Sequence, residues 1–140
     1  MVASVGISVG VDIGGTKILA GIVNDQGEIL AKVRKKTPRA DASSVLEVVS
    51  QVITETISQV DDAIIGIGVG VAGPVDAGST TVLYAPNLQW ADVPVATFLE
   101  KSTGLPVLVE NDGNAAAWGE ARFGGGKGFD DVVAVTIGTG

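Results

Sequence analysis

VGISVGVDIGGTKILAGIVNDQGEILAKVRK, residues 5–35, is the stretch whose reading decides the fold. Residues 5–12 and 18–23 are two short apolar runs joined through Gly14-Gly15, and a third run from about 28 to 35 follows the Asn24-Asp25-Gln26-Gly27 turn. Short β-branched runs separated by tight glycine turns predict three hairpin-connected strands, an antiparallel meander. Downstream the period changes. Between Ser44 and Val60 the residues Leu46, Val49, Ile53, Ile57 and Val60 recur at three- and four-residue steps, and Ser44 with Glu47 forms a capping box, so a helix is expected there.

Ile64 to Val69 reads as a buried strand, followed by a loop over 70–81 and a short strand around Val82 and Leu83. A second helix is framed by Asp92 as cap, Pro94 in its first turn, and Gly104 with Pro106 as its stop. Val107 to Glu110 is read as a strand, 113–122 as an Ala-rich helix, and Val132 to Ile137 as a last strand running into Gly138-Thr139-Gly140. The economical packing is an α/β domain: a mixed five-stranded sheet, three of its strands antiparallel, with flanking helices.

Composition narrows the chemistry. The 140 residues suffice for one domain, and with 46% apolar but only 4% aromatic residues the core is built from Val, Ile, Leu and Ala. The chain has no Cys and no His, which excludes disulfides, a zinc site of the usual ligands, a Ser-His-Asp triad and a Cys nucleophile within it. Its net charge of -7 makes nucleic acid and anionic membranes poor partners. Five of the nine basic residues lie between Lys32 and Arg39, where a strand runs out into a loop, and are read as a solvated strand end. With no run of 18 apolar residues and no secretory signal at its start, the chain is expected to be cytoplasmic.

Four segments can carry chemistry. Asp12-Ile13-Gly14-Gly15-Thr16-Lys17 places a carboxylate at the end of the first strand and a hydroxyl and an amine after two glycines. Backbone N–H groups of Gly14 and Gly15, with Thr16 and Lys17, suit phosphate oxygens, and Asp12 suits a Mg2+ ion held through water. Gly68-Val-Gly70-Val-Ala-Gly73 matches the dinucleotide pattern, but Pro74 follows at once and no helix opens, so the segment is read as a tight loop close to a small ligand. In Asn87-Leu88-Gln89-Trp90, Trp90 anchors a loop, while Asn87 is either a turn former or a reader of hydroxyls.

Glu110-Asn111-Asp112-Gly113-Asn114 closes a strand with three consecutive polar residues and opens a helix. Capping by Asp112 or Asn114 needs only one such residue. A carboxylate at the carboxyl end of a central strand is where ligands are met in α/β sheets; if Asp112 faces a sugar hydroxyl, it can accept that proton as phosphoryl transfer proceeds. The helix N-terminus favours an anion there, so Asp112 acts more by orienting the hydroxyl than by strong basicity.

Taken in order, Asp12 to Lys17, Gly70 to Asp76, Asn87 to Trp90, Leu105 to Ala116 and Thr136 to Gly140 resemble the N-terminal half of ROK-family sugar kinases over essentially the entire chain. The resemblance implies a ribonuclease H-like, actin-like ATPase domain, residues 1–140, one of two that close around ATP and a hexose. It implies that Asp12 supports the metal, Gly14 to Lys17 form the first phosphate motif, and Gly138, Thr139 and Gly140 begin the second. It further implies that Asp112 is the catalytic base, and that Asn87, Asn111 and the Gly73-Pro74 loop bind the sugar. Gly113 stands where the family commonly has Ala, which loosens that helix start by about 1 kcal/mol.

ATP and Mg2+ are the implied cofactors, and zinc is expected only in the second domain, which this chain does not contain. The chain alone is expected to be inactive, its own C-terminal domain being the missing partner, and a homo-oligomer is compatible with the family. The alternative is the sugar-sensing domain of a ROK-type transcriptional regulator. Such regulators carry an N-terminal helix-turn-helix, whereas only eleven residues precede Asp12 here.

Overall fold

The computed structural model describes residues 6–137. Strands β1 (Ile7–Ile13), β2 (Lys17–Val23) and β3 (Ile29–Lys36) form the expected meander. Helix α1 (Ala42–Ile57), strand β4 (Ile64–Val71), strand β5 (Val82–Ala85), a single 3-10 turn at Pro86–Leu88 and strand β6 (Trp90–Val93) follow. Helix α2 (Val95–Thr103), strand β7 (Val107–Asn111) and helix α3 (Asp112–Phe123) complete the described elements. Five strands make one mixed sheet in the order β3-β2-β1-β4-β7, with β1 antiparallel to β2 and β2 to β3, and β1, β4 and β7 mutually parallel.

One face of this sheet is the core. Val9, Val11 and Ile13 of β1 pair directly with Ile22, Ala20 and Ile18 of β2, and with Ile67, Val69 and Val71 of β4. All are buried. Because side chains alternate across a strand, the same register sends Gly10, Asp12, Gly68, Gly70 and Glu110 to the opposite face. Helices α1 and α2 cover the core face, bringing Val45, Leu46, Val49, Val52, Ile53 and Leu99 against it. Helix α3 packs mainly on β4 and β7, and none of its own residues is buried. No described helix is long and apolar enough to cross a membrane.

Four of the five basic residues lie on β3, an edge strand whose residues alternate between exposed and half-buried from Leu30 on, with Arg39 just beyond it, and Lys35 pairs with Glu55 of α1 at 2.8 Å between partly exposed side chains. Charged residues on an exposed edge oppose pairing with another chain, as the solvated reading requires.

Several local expectations are corrected. Helix α1 begins at Ala42, because the Asp41 carboxylate accepts the Ser44 N–H at 2.7 Å; Asp41 rather than Ser44 is the cap. The segment 70–81 is not all loop, since β4 continues to Val71. Residues 82–93 fold into a two-stranded sheet, β5 with β6, around the buried Trp90. Asp92 therefore lies in β6 with φ 50°, and Pro94 occupies the cap position of α2. Gly104 stops α2 as expected, at φ 73° and with its N–H on the Glu100 carbonyl. Val132 to Ile137 is not a strand: Val133, Val135 and Ile137 are exposed, and no described strand pairs with them. A β-branched run forms a strand only where a ladder partner and a covering layer meet it. Gly138, Thr139 and Gly140 lie outside the described residues.

Candidate active site at three parallel strand ends

Three parallel strands must end at the same edge, and their register places chemistry there. Asp12 of β1 is opposite Gly70 of β4, which is opposite Glu110 of β7. One residue on, Ile13, Val71 and Asn111 are aligned. The chain leaves the sheet from these positions into the Gly14–Thr16 turn, the Ala72–Thr81 loop and helix α3.

Helix α3 swings over the open face at its first turn. A Cβ on Gly70 would lie 3.7 Å from the Asp112 Cα and 3.9 Å from the Ala115 Cβ, so the bare strand surface at Gly70 is the seat of the helix N-terminus. The result is an open groove of about 700 Å³ lined by Asp12, Gly70, Glu110, Asp112 and Gly113. Burial against the strand ends, and next the negative charge of Asp112, push the Asp12 carboxyl above its ordinary value, while Lys17 pulls the other way. Two carboxylates that repel each other across a groove offer a cation an attractive place. Among the described residues no three such groups cluster for direct metal ligation. That donor set fits Mg2+ held by one carboxylate through water, since Mg2+ keeps several of its waters.

The helix cap is Asn111, not Asp112 or Asn114. Its Oδ1 accepts from the backbone N–H of Gly113 at 3.0 Å and of Asn114 at 3.2 Å, and its Nδ2 donates to the Gly73 carbonyl at 3.1 Å. Asn111 thus ties the loop after β4 to the start of α3 and leaves Asp112 exposed in the first turn. Gly73 abuts the Tyr84 carbonyl, where no side chain fits. Pro74 is exposed, and its carbonyl accepts the Leu83 N–H at 2.9 Å.

The turn between β1 and β2 is held from two sides. Within it, the Gly14 N–H donates to the Lys17 carbonyl at 2.9 Å. A Cβ on Gly15 would lie 3.1 Å from the Asn87 carbonyl oxygen and 3.2 Å from its Cβ, so the turn and Asn87 are in direct contact. Gly15, Asn87, Gln89, Thr37 and Arg39 line a second, polar cleft of about 590 Å³. Gln89 stands at φ 56° beside the buried Trp90, which anchors this segment.

Two residues of the surroundings have structural roles that the sequence does not assign. Asp76 closes the loop after β4: its Oδ1 accepts from the Thr80 and Thr81 N–H groups, each at 2.7 Å, and its Oδ2 from the Thr80 hydroxyl at 2.9 Å. These bonds hold its carboxyl below the ordinary value. The available signal is an Asp followed by Gly78, Ser79 and two threonines, residues that favour turns. The other is Thr37, directly after β3, whose contacts with the turn are local to the fold and carry no sequence signature.

A mixed sheet with this topology, carboxylates at the ends of β1 and β7 on either side of β4, and a glycine turn beside them define an actin-like ATPase domain. The ROK family model matches residues 8–140, and the chain belongs to the ROK family. It is 46% identical over 135 residues to a glucokinase of Streptomyces coelicolor, covering 96% of this chain and 42% of that protein. Its structure superposes on a ROK family glucokinase from Streptomyces griseus, solved in complex with glucose and AMPPNP, with TM-score 0.89 and 45% identity over 96% of this chain and 42% of that one. A xylose repressor of Caldicellulosiruptor bescii is 32% identical over 140 residues, 97% of this chain and 35% of the repressor. The chain spans about two fifths of the length of the glucokinases it matches.

Proposed function

We propose that this chain is the first domain of a two-domain hexose kinase that moves the γ-phosphoryl group of ATP to a sugar, glucose to glucose 6-phosphate being the best-supported case. The observation that carries the reading is the shared edge of β1, β4 and β7, which brings Asp12 and Asp112 to one groove with the Gly14–Lys17 turn beside it.

In this reading Asp112 holds the attacking sugar hydroxyl by accepting its hydrogen. The proton passes to the carboxylate as the oxygen bonds to the γ-phosphorus and the bond from phosphorus to the bridging oxygen breaks, releasing ADP. Asn87 and Asn111 read the other hydroxyls beside the Gly73-Pro74 loop. Asn111 keeps one Nδ2 hydrogen for this after donating the other to Gly73. Gly15, Thr16 and Lys17 meet the phosphates, joined by Gly138, Thr139 and Gly140, while the Gly14 N–H, expected to do the same, is held by the Lys17 carbonyl. Asp12 would hold Mg2+ through its waters, and the ion would offset charge on the transferring phosphates. The adenine pocket, the remaining sugar ligands and any zinc belong to the second domain, so the isolated chain is silent.

A sugar-sensing regulator domain is the second reading, supported by the likeness to the xylose repressor over 97% of this chain. Coupled ADP release with glucose, measured on the full-length protein and on this chain, separates the two. Glucose-dependent ADP release by the full-length protein alone supports the kinase. Glucose binding without ADP release supports the regulator, and appreciable turnover by the 140-residue chain would overturn the two-domain account.

A further inference from the structure

We infer that Thr37, outside every motif that carries the kinase reading, is a positioning residue that fixes the direction of the phosphate-binding amide in the turn between β1 and β2. The inference rests on the proposal that this turn meets phosphate. The Thr37 hydroxyl donates to the Gly14 carbonyl at 2.6 Å, and the Thr37 backbone N–H donates to the Thr16 carbonyl at 3.0 Å. Thr37 therefore grips two of the turn's peptide units from the end of β3, 23 residues further along the chain.

The geometry of the peptide unit gives the grip its effect. In a trans peptide the carbonyl and the N–H of one unit point in opposite directions. The Gly14 carbonyl and the Gly15 N–H belong to the same unit, so a hydrogen bond on the first sets the aim of the second. That unit is flanked by glycine on both sides, the residues for which rotation of the whole plane costs least. Nothing in the turn's own side chains opposes such a rotation. The Gly14 N–H is already taken by Lys17, and Gly15 is exposed, with Asn87 against its other side. The amide of Gly15 is thus the donor that the turn presents outward, and Thr37 holds it there. Preorganised donors bind anions better than donors that must first be ordered.

The test compares Thr37→Val and Thr37→Ser in the full-length protein. Thermal midpoint, calorimetric affinities for AMPPNP with Mg2+ and for glucose, and KM for ATP against kcat are measured in each. Thr37→Val keeps the shape and loses the hydroxyl. It is expected to weaken AMPPNP binding and raise the KM for ATP by roughly three- to tenfold, the worth of one hydrogen bond, with glucose affinity within twofold of wild type. Thr37→Ser, which retains the hydroxyl, restores nucleotide binding. Unchanged nucleotide affinity in Thr37→Val overturns the inference. So does an equal loss of glucose and nucleotide binding that Ser does not rescue, since that marks a merely structural residue. If the wild-type protein binds AMPPNP in a Thr37-dependent way yet transfers no phosphate, the kinase reading falls and the role of Thr37 stands.

Discussion

Replacing Gly70 tests the seat of helix α3 with two substitutions of opposite expected sign. A Cβ at Gly70 would meet the Asp112 Cα and the Val11 carbonyl oxygen at 3.7 Å and the Ala115 Cβ at 3.9 Å, all ordinary contact distances. Gly70 also lies in a regular strand and is not among the glycines with positive φ. Gly70→Ala therefore fits, and by restricting the unfolded chain it is expected to stabilise by about 0.4–1 kcal/mol. Valine adds two methyl groups reaching about 1.5 Å beyond that Cβ. With contacts already at 3.7 Å on two sides, a methyl falls well inside van der Waals distance unless the start of α3 lifts. Overpacking of this kind costs about 1–3 kcal/mol. With Asp112 in its proposed role, a shift of about 1 Å is worth about 10²-fold in turnover. Urea unfolding and hexose-dependent ADP release on the full-length protein read both effects. Gly70→Val with wild-type turnover and stability would refute the seating of α3 on β4.

Asp12→Asn is expected to stabilise the domain at neutral pH. The folded carboxyl is raised above 3.8, so wild type loses stability as pH rises from 3.8 through the folded value; the gap between variant and wild type in urea midpoint should open over that range and close below it. Asp41 and Asp76 behave oppositely. Their folded values are lowered by backbone N–H bonds, so their contribution is complete above 3.8 and is lost as pH falls through the lower folded values. Asp76→Ala should flatten the acid limb of the unfolding profile measured by circular dichroism. Leu99 of α2 is fully buried in the core shared with α1, and Leu99→Ala should cost about 2–5 kcal/mol in urea unfolding.

The meander and the two core helices were legible because their pattern is the burial pattern: Val9, Val11 and Ile13 alternate, and Leu46, Val49 and Ile53 recur at helical spacing. What the sequence hid depends on tertiary partners. Asp41 wins the cap from Ser44 because its carboxylate already holds the Ser44 N–H, a choice between two acceptable caps. The pairing of β5 with β6 is assembled around Trp90, whose burial no local period announces. Val132–Ile137 has strand composition without a strand partner among the described residues. At the site, the polar triplet Glu110-Asn111-Asp112 stands out in the sequence, but only the folded hydrogen bonds show Asn111 as cap and leave Asp112 as the exposed carboxylate. Gly70 looked like loop and proved to be the surface on which α3 rests.

Asp112→Asn in the full-length protein, followed by turnover and by glucose calorimetry side by side, addresses the central claim most directly. Asparagine keeps the size and the start of α3 but cannot take the hydroxyl proton. Turnover should fall by about 10²–10⁴-fold while glucose affinity is mostly retained. Turnover near the wild-type rate would contradict the assignment and place the base elsewhere.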